Sequence, residues 1–173
     1  MASEFKTRTN KKLEFARISL NEIKSRPELG SADNFERSHE ENFLFHLIGA
    51  KDSFLQEINI AYGSNLPIHK VKERSLVGKL IEMGIQSPEL CEIMDLEDRQ
   101  KAGWLAFAIE LRDQGTHRRD IGRTLEIGGE LNGEVSFHNP ISGQCMDIDS
   151  IQFFKLCLEN MTGLLERLRS TLP

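Results

Sequence analysis

Cysteine is scarce in this chain, and the three present, Cys91, Cys145 and Cys157, are odd in number and widely spaced. Such a set excludes a disulfide framework and points to a reducing compartment, so a cytoplasmic location is expected. No Cys-x-x-Cys and no Cys/His pairing at usable spacing exists, which leaves no zinc site of the usual kind. Long apolar runs are missing as well. No stretch approaches the roughly 20 residues of a membrane crossing, and the opening Met1-Ala-Ser-Glu-Phe-Lys6 lacks the apolar core of a signal peptide, so no membrane partner is expected. Positive charge is in deficit, with 22 Lys and Arg against 27 Asp and Glu, a net charge of −5. That balance argues against coating nucleic acid by bulk electrostatics and leaves room only for a local basic site. Internal repeats, low-complexity tracts, Gly-x-Ser-x-Gly, His-Glu-x-x-His and nucleotide-binding fingerprints are all absent.

What remains is an ordinary globular composition, 28% charged and 39% hydrophobic over 173 residues, long enough to bury a core in one domain. Residues 1 to about 10 are polar and read as a flexible N-terminus, with the domain spanning 11–173. Apolar residues at three- and four-residue spacing predict helices from about Thr9 to Arg26, from about Asn34 to Tyr62 and from Pro67 to Gly84. Others follow from Ser87-Pro88 to Met94, from about Leu96 to Gln114, and after Asp149 or Ser150. The second carries a wide stripe containing Phe43, Leu47, Phe54 and Ile58, as suits a helix buried among several neighbours. Between about 120 and 148 glycines break the pattern, and residues 134–137 and 144–148 flank a turn at Asn139-Pro140, as in a small β-hairpin. The expected fold is all-α: an antiparallel bundle of four to five helices with a small glycine-rich, hairpin-like insertion before the last helix.

The chemistry concentrates in Trp104-Leu-Ala-Phe-Ala-Ile-Glu-Leu-Arg-Asp-Gln-Gly-Thr-His117. Counted at roughly 100° per residue from Leu96, the apolar residues of this helix fall on an arc from about 0° to about 220°, and Arg112 falls inside it at about 160°. A guanidinium keeps its charge, so one aimed at a buried face needs an anion, a carboxylate or a subunit boundary. Gly115 is expected to end the helix, bringing His117 out just past it, near Arg112. Arg118, Arg119 and Arg123 complete the densest arginine cluster. Its plainer reading is a solvated helix end, and for His117 a histidine bonded to the last carbonyls.

This motif resembles that of the HEPN superfamily: an arginine ending an amphipathic helix, a polar residue, then a histidine four to six residues on. Arg112 matches the arginine, Asp113 the polar residue (more often asparagine in the family) and His117 the histidine. The resemblance implies a helical bundle, a homodimer, and metal-independent endoribonuclease activity with no cofactor. It also implies a toxin–antitoxin or defence setting, with RNA and a small antitoxin or nucleotidyltransferase-like protein as partners. Cleavage through the RNA's own 2′-hydroxyl needs a base, an acid and positive charge on the phosphate. Two chains facing one cleft would supply two copies each of His117 and Arg112, with Thr116 orienting the phosphate and Asp113 holding an arginine or setting the histidine tautomer.

Lys51 falls mid-stripe on the second helix, either facing the site or subunit boundary or snorkelling along the core. Asp52 and Glu41, at one edge of that stripe, are candidate partners for Arg112. Glu36-Arg-Ser-His39 has the spacing of a carboxylate-bridged metal site but lacks the second motif such sites need, and His46, His69 and His138 have no metal-ligand partner, so no metal is expected. The competing function is a non-catalytic helical interaction module, or a nucleotide- or ligand-binding one whose glycine-rich insertion closes a pocket. Arg112 and His117 would then be structural or binding residues.

Overall fold

The computed structural model describes residues 2–25, 34–117, 123–125 and 135–173. These are mostly helical: α1 (Ala2–Lys24), α2 (Asn34–Ala61), α3 (Glu73–Glu82), α4 (Pro88–Leu96), α5 (Trp104–His117) and α6 (Ser150–Thr171). Helix α2 is the hub, packing on α1, α5 and α6. Its wide apolar stripe makes this possible, since Phe43, Leu47, Phe54 and Ile58 are fully buried and the Phe43 ring packs tilted against Phe154 of α6, centroids 4.6 Å apart. Among the described residues no helix is long and apolar enough to cross a membrane.

Residues 2–10 are helical where the sequence pattern suggested a flexible N-terminus. They form the opening turns of α1, where Phe5 and Thr9 are buried and the Thr9 hydroxyl donates to Glu57 Oε1 at 2.6 Å. Phe5, Thr9, Leu13, Ala16, Leu20 and Ile23 form one continuous stripe at three- and four-residue spacing. A polar threonine in that stripe hides it from a purely hydrophobic reading. Glu57 also receives Arg169 of α6 through two bonds of 2.8 and 2.9 Å, so one buried carboxylate ties three helices together.

Helix α4 opens as expected on Ser87, whose Oγ accepts from the Leu90 amide at 3.2 Å, with Pro88 in the first turn. Its second residue, Glu89, is buried and accepts from Tyr62, Ser87 and Thr171 at 2.7–2.8 Å. Burial alone would push this carboxyl up, but those bonds prevail and hold it below the usual carboxylate range.

The motif helix does not begin at Leu96. Asp98 accepts from the Gln100 amide at 2.9 Å, a 3-10 turn follows at Arg99–Lys101, and Ala102 adopts a left-handed conformation (φ 48°). The chain therefore turns before α5 starts at Trp104. At its other end α5 continues through Gly115 to His117, because an interior glycine lowers helix stability by about 1 kcal/mol without obliging a break.

Among the described residues before α6 lie three antiparallel strands in the order β1 (Arg123–Leu125), β2 (Val135–His138) and β3 (Cys145–Asp149), the first of which the sequence pattern did not announce. Asn139 shapes the connection from β2 to β3, its Oδ1 accepting from the Ile141 and Ser142 amides while Gly143 takes φ 75°. Asp149 then caps α6, accepting from the Ile151 and Gln152 amides at 2.8 and 3.0 Å.

Candidate functional site

Leu105, Ala108 and Leu111 anchor α5 in the core, and Arg112 follows on the same side of the helix, at the edge of that contact. Its side chain keeps 27% exposure. The guanidinium is met by the residue next to it: Nε and Nη2 both donate to Asp113 Oδ1, at 2.9 and 2.7 Å. Asp113 thus holds its own chain's arginine and limits how far that side chain can swing.

Arg112 lines a cleft of about 470 Å³ between α1, α2 and the start of α3. Arg8 and Lys12 enter from α1, and Phe45, Gly49, Lys51, Asp52 and Gln56 from α2. Ile68 comes from the 3-10 turn at Ile68–Lys70, and Lys72 and Glu73 from the start of α3. Three of the residues singled out in the sequence, Arg112, Lys51 and Asp52, therefore share one cleft. Helix α2 carries both Lys51 and Asp52, and α5 carries Arg112 beside it.

Lys51 neither snorkels to water nor faces an open boundary. It is 5% exposed, and its ammonium lies 2.5 Å from Glu73, 2.5 Å from Glu97 and 3.2 Å from Asp52. Burial works against this charge, but the three carboxylates more than reverse the penalty and hold the lysine protonated well above its ordinary value. Burial likewise pushes the two glutamates up. Lys51 reverses this for Glu73, which sits below the usual range, while Glu97 stays above it. The cation is committed inside the protein, linking α2 to α3 and to the turn after α4.

The cleft's other cations were not singled out in the sequence. Lys12 Nζ lies 3.3 Å from His46 Nδ1 and 4.5 Å above the ring of Phe45, while His46 itself packs against Phe15 and Phe45. Partial burial lowers the Lys12 pKa, and neighbouring Arg8 lowers it further against a smaller opposing pull from Asp52. His46 is lowered too, by burial and then by Lys12, which favours the neutral ring. Among the described residues Arg8, Lys12 and Lys72 form no ion pair. Cations gathered on one concavity favour an anion there, although Asp52 and Glu73, both engaged by Lys51, line it as well. The four-residue spacing of Arg8 and Lys12, which puts both on one helix face, is the signal that would have found them.

His117 is not past the helix end but within the last turn of α5, together with Thr116. Five helical steps lead from Arg112 to His117, about 7.5 Å along the axis and about 140° around it. Arg118 and Arg119 lie outside the described residues, and Arg123 belongs to β1. Glu36 and His39 lie in the opening turns of α2, and among the described residues no three His, Cys, Asp or Glu are gathered to hold a metal. Set against family models, curated proteins and solved structures, the chain finds no match.

Proposed function

We propose that the protein is a HEPN-like, metal-independent endoribonuclease acting at a site shared across a homodimer, with its helices arranged as an antiparallel bundle and the glycine-rich hairpin as an insertion. The observation that supports this reading is the placement of Arg112 on a cleft that also gathers Arg8, Lys12 and Lys72. Arg112, Arg8 and Lys12 would hold the RNA backbone, with Arg118 and Arg119 extending the contact. One His117 takes the proton from the 2′-hydroxyl, whose oxygen attacks phosphorus. The bond from phosphorus to the 5′-oxygen breaks, and the second chain's His117 protonates that leaving oxygen. The product is a 2′,3′-cyclic phosphate, and DNA, lacking the hydroxyl, survives. A rotation of about 140° between Arg112 and His117 on one helix favours a site completed by a second chain.

One observation favours a second reading, a non-catalytic helical interaction or nucleotide- or ligand-binding module with Arg112 and His117 in a structural or binding role: the clasp of Asp113 already pairs the Arg112 guanidinium within its own chain. The two readings part on one experiment. Wild-type and His117→Ala proteins are incubated with mixed single-stranded RNA in chelator, and fragment ends are analysed. The nuclease reading expects cyclic phosphate ends from the wild type and none from the variant, with unchanged helicity. No cleavage by the wild type would leave the binding module, and equal cleavage by both would expose a contaminant.

A further inference from the structure

The buried ammonium of Lys51 meets two largely buried carboxyl groups, one more negative charge than it can cancel. Its Nζ lies 2.5 Å from an oxygen of Glu73, the first residue of α3, and 2.5 Å from one of Glu97, which caps the end of α4. Asp52 adds a third carboxylate at 3.2 Å, but its side chain is 57% exposed and its charge is largely met by water. Two oxygens held that close to one nitrogen also lie near each other, and the Glu73 and Glu97 side chains are within hydrogen-bond reach. Two ionised carboxylates have no donor between them, so a bond across the pair takes one proton.

Water reaches this pair. Glu73 and Glu97 keep 20% and 19% side-chain exposure and line a groove between α3 and α4. On the groove side the other charged or titratable groups are Lys72 and Arg74 at the start of α3, with Cys91, Asp95 and Asp98 along and after α4. On the cleft side they are Arg112 from α5 and, from α1, Arg8 and Lys12. Burial raises both glutamates. At Glu73 the ammonium prevails, whereas Glu97, raised further by Glu73, stays above its ordinary value and takes the proton first.

We infer that Glu73 and Glu97 form a proton-operated latch: one proton, taken from water on mild acidification, lets both close on Lys51 and tightens the hold of α3 and the turn after α4 on α2. Glu97 then donates to Glu73, and the two carboxyl groups with their lysine are neutral. Without that proton both are ionised, repel each other and compete for one ammonium. A carboxyl raised in the folded state adds stability as pH falls toward its unfolded value of about 4.5, and one held low loses its contribution below that value. The latch is therefore tightest just above about pH 4.5 and looser at pH 7. Lys51 and Glu73 also line the Arg112 cleft, so the latch governs how firmly the α3 wall of that cleft is held, whatever the cleft binds.

The test compares the full wild-type chain with Glu97→Gln and Glu73→Gln by urea unfolding across a pH series from about 7.5 to about 5. Glutamine keeps the side chain's shape, is neutral throughout and donates from its amide the bond that the proton would otherwise make. The wild-type folding constant should rise severalfold relative to each variant as pH falls, a comparison that cancels the titrating groups common to all three. Amide exchange in α3, corrected for the intrinsic effect of pH, should slow over the same range in the wild type and change less in Glu97→Gln. Should a variant not fold, carbon NMR of the wild-type Glu97 carboxyl decides, with a titration midpoint expected above about 4.5. An identical pH response in the wild type and both variants would overturn the latch, as would a Glu97 carboxyl that titrates at or below that value. Stability that responds while α3 exchange does not would overturn it too, since the proton would then not be holding α3.

Discussion

At the scale of single residues the chain resolves each buried charge differently. Lys51 is surrounded by Glu73, Glu97 and Asp52, and Arg112 leans on its neighbour Asp113. The first arrangement is internal to the fold, so its removal reads out as stability. Lys51→Met should lower the unfolding free energy at pH 7 by roughly 3–5 kcal/mol, because two buried carboxylates lose their cation. The sign of the pH dependence follows from the same cause. Without Lys51, burial is the largest influence left on Glu73 and Glu97, and Glu73 further raises Glu97, so their folded pKa values should rise above the unfolded ones. The lost stability should then return in part as pH falls toward about 4.5, measured by urea unfolding at pH 7 and pH 5. A variant equally unstable at both values would place the damage elsewhere.

Among elements, α2 decides most of the architecture, and its residues also form the largest wall of the cleft. Gly49 shows how the two are coupled. A Cβ there would meet the Lys12 stem at 3.3–3.5 Å, a tight contact with a flexible chain. Gly49→Ala should therefore raise stability by about 0.5–1 kcal/mol through helix propensity. It should also displace Lys12 from Phe45 and weaken anion binding, so urea midpoint and affinity for RNA should move in opposite directions. The helical character of α2 and the caps Ser87 and Asp149 were legible in the sequence because their signals are local. The break before α5 was less so: an apolar count that starts at Leu96 runs smoothly through Asp98, Ala102 and Gly103, although Asp98 is itself a capping residue. Arg112, Lys51 and Asp52 were found by their place in apolar stripes. Arg8 and Lys12 were not, because cations on a wet face look ordinary until a neighbouring helix turns them into one concavity.

For the molecule as a whole, net negative charge coexists with a cleft that gathers several cations, so attraction for an anion there is local. If Arg8, Lys12 and Lys72 each neutralise one phosphate of single-stranded RNA, the logarithm of the association constant should fall with the logarithm of salt at a slope of about −2. The Arg8→Ala and Lys12→Ala double variant should flatten that slope to about −0.7, as fluorescence anisotropy across a salt series would record. The Glu57 junction has a further consequence. Thr9 near the start of α1 and Arg169 near the end of α6 hold the same carboxylate, so the first and last helices run side by side where they begin and finish. Continuity of the backbone is thus dispensable at a place of one's choosing. A short flexible join from Thr171 back to Ala2, with a new opening at the exposed Gly84 turn, would leave the helices, their contacts and the cleft in place while reordering the chain that builds them.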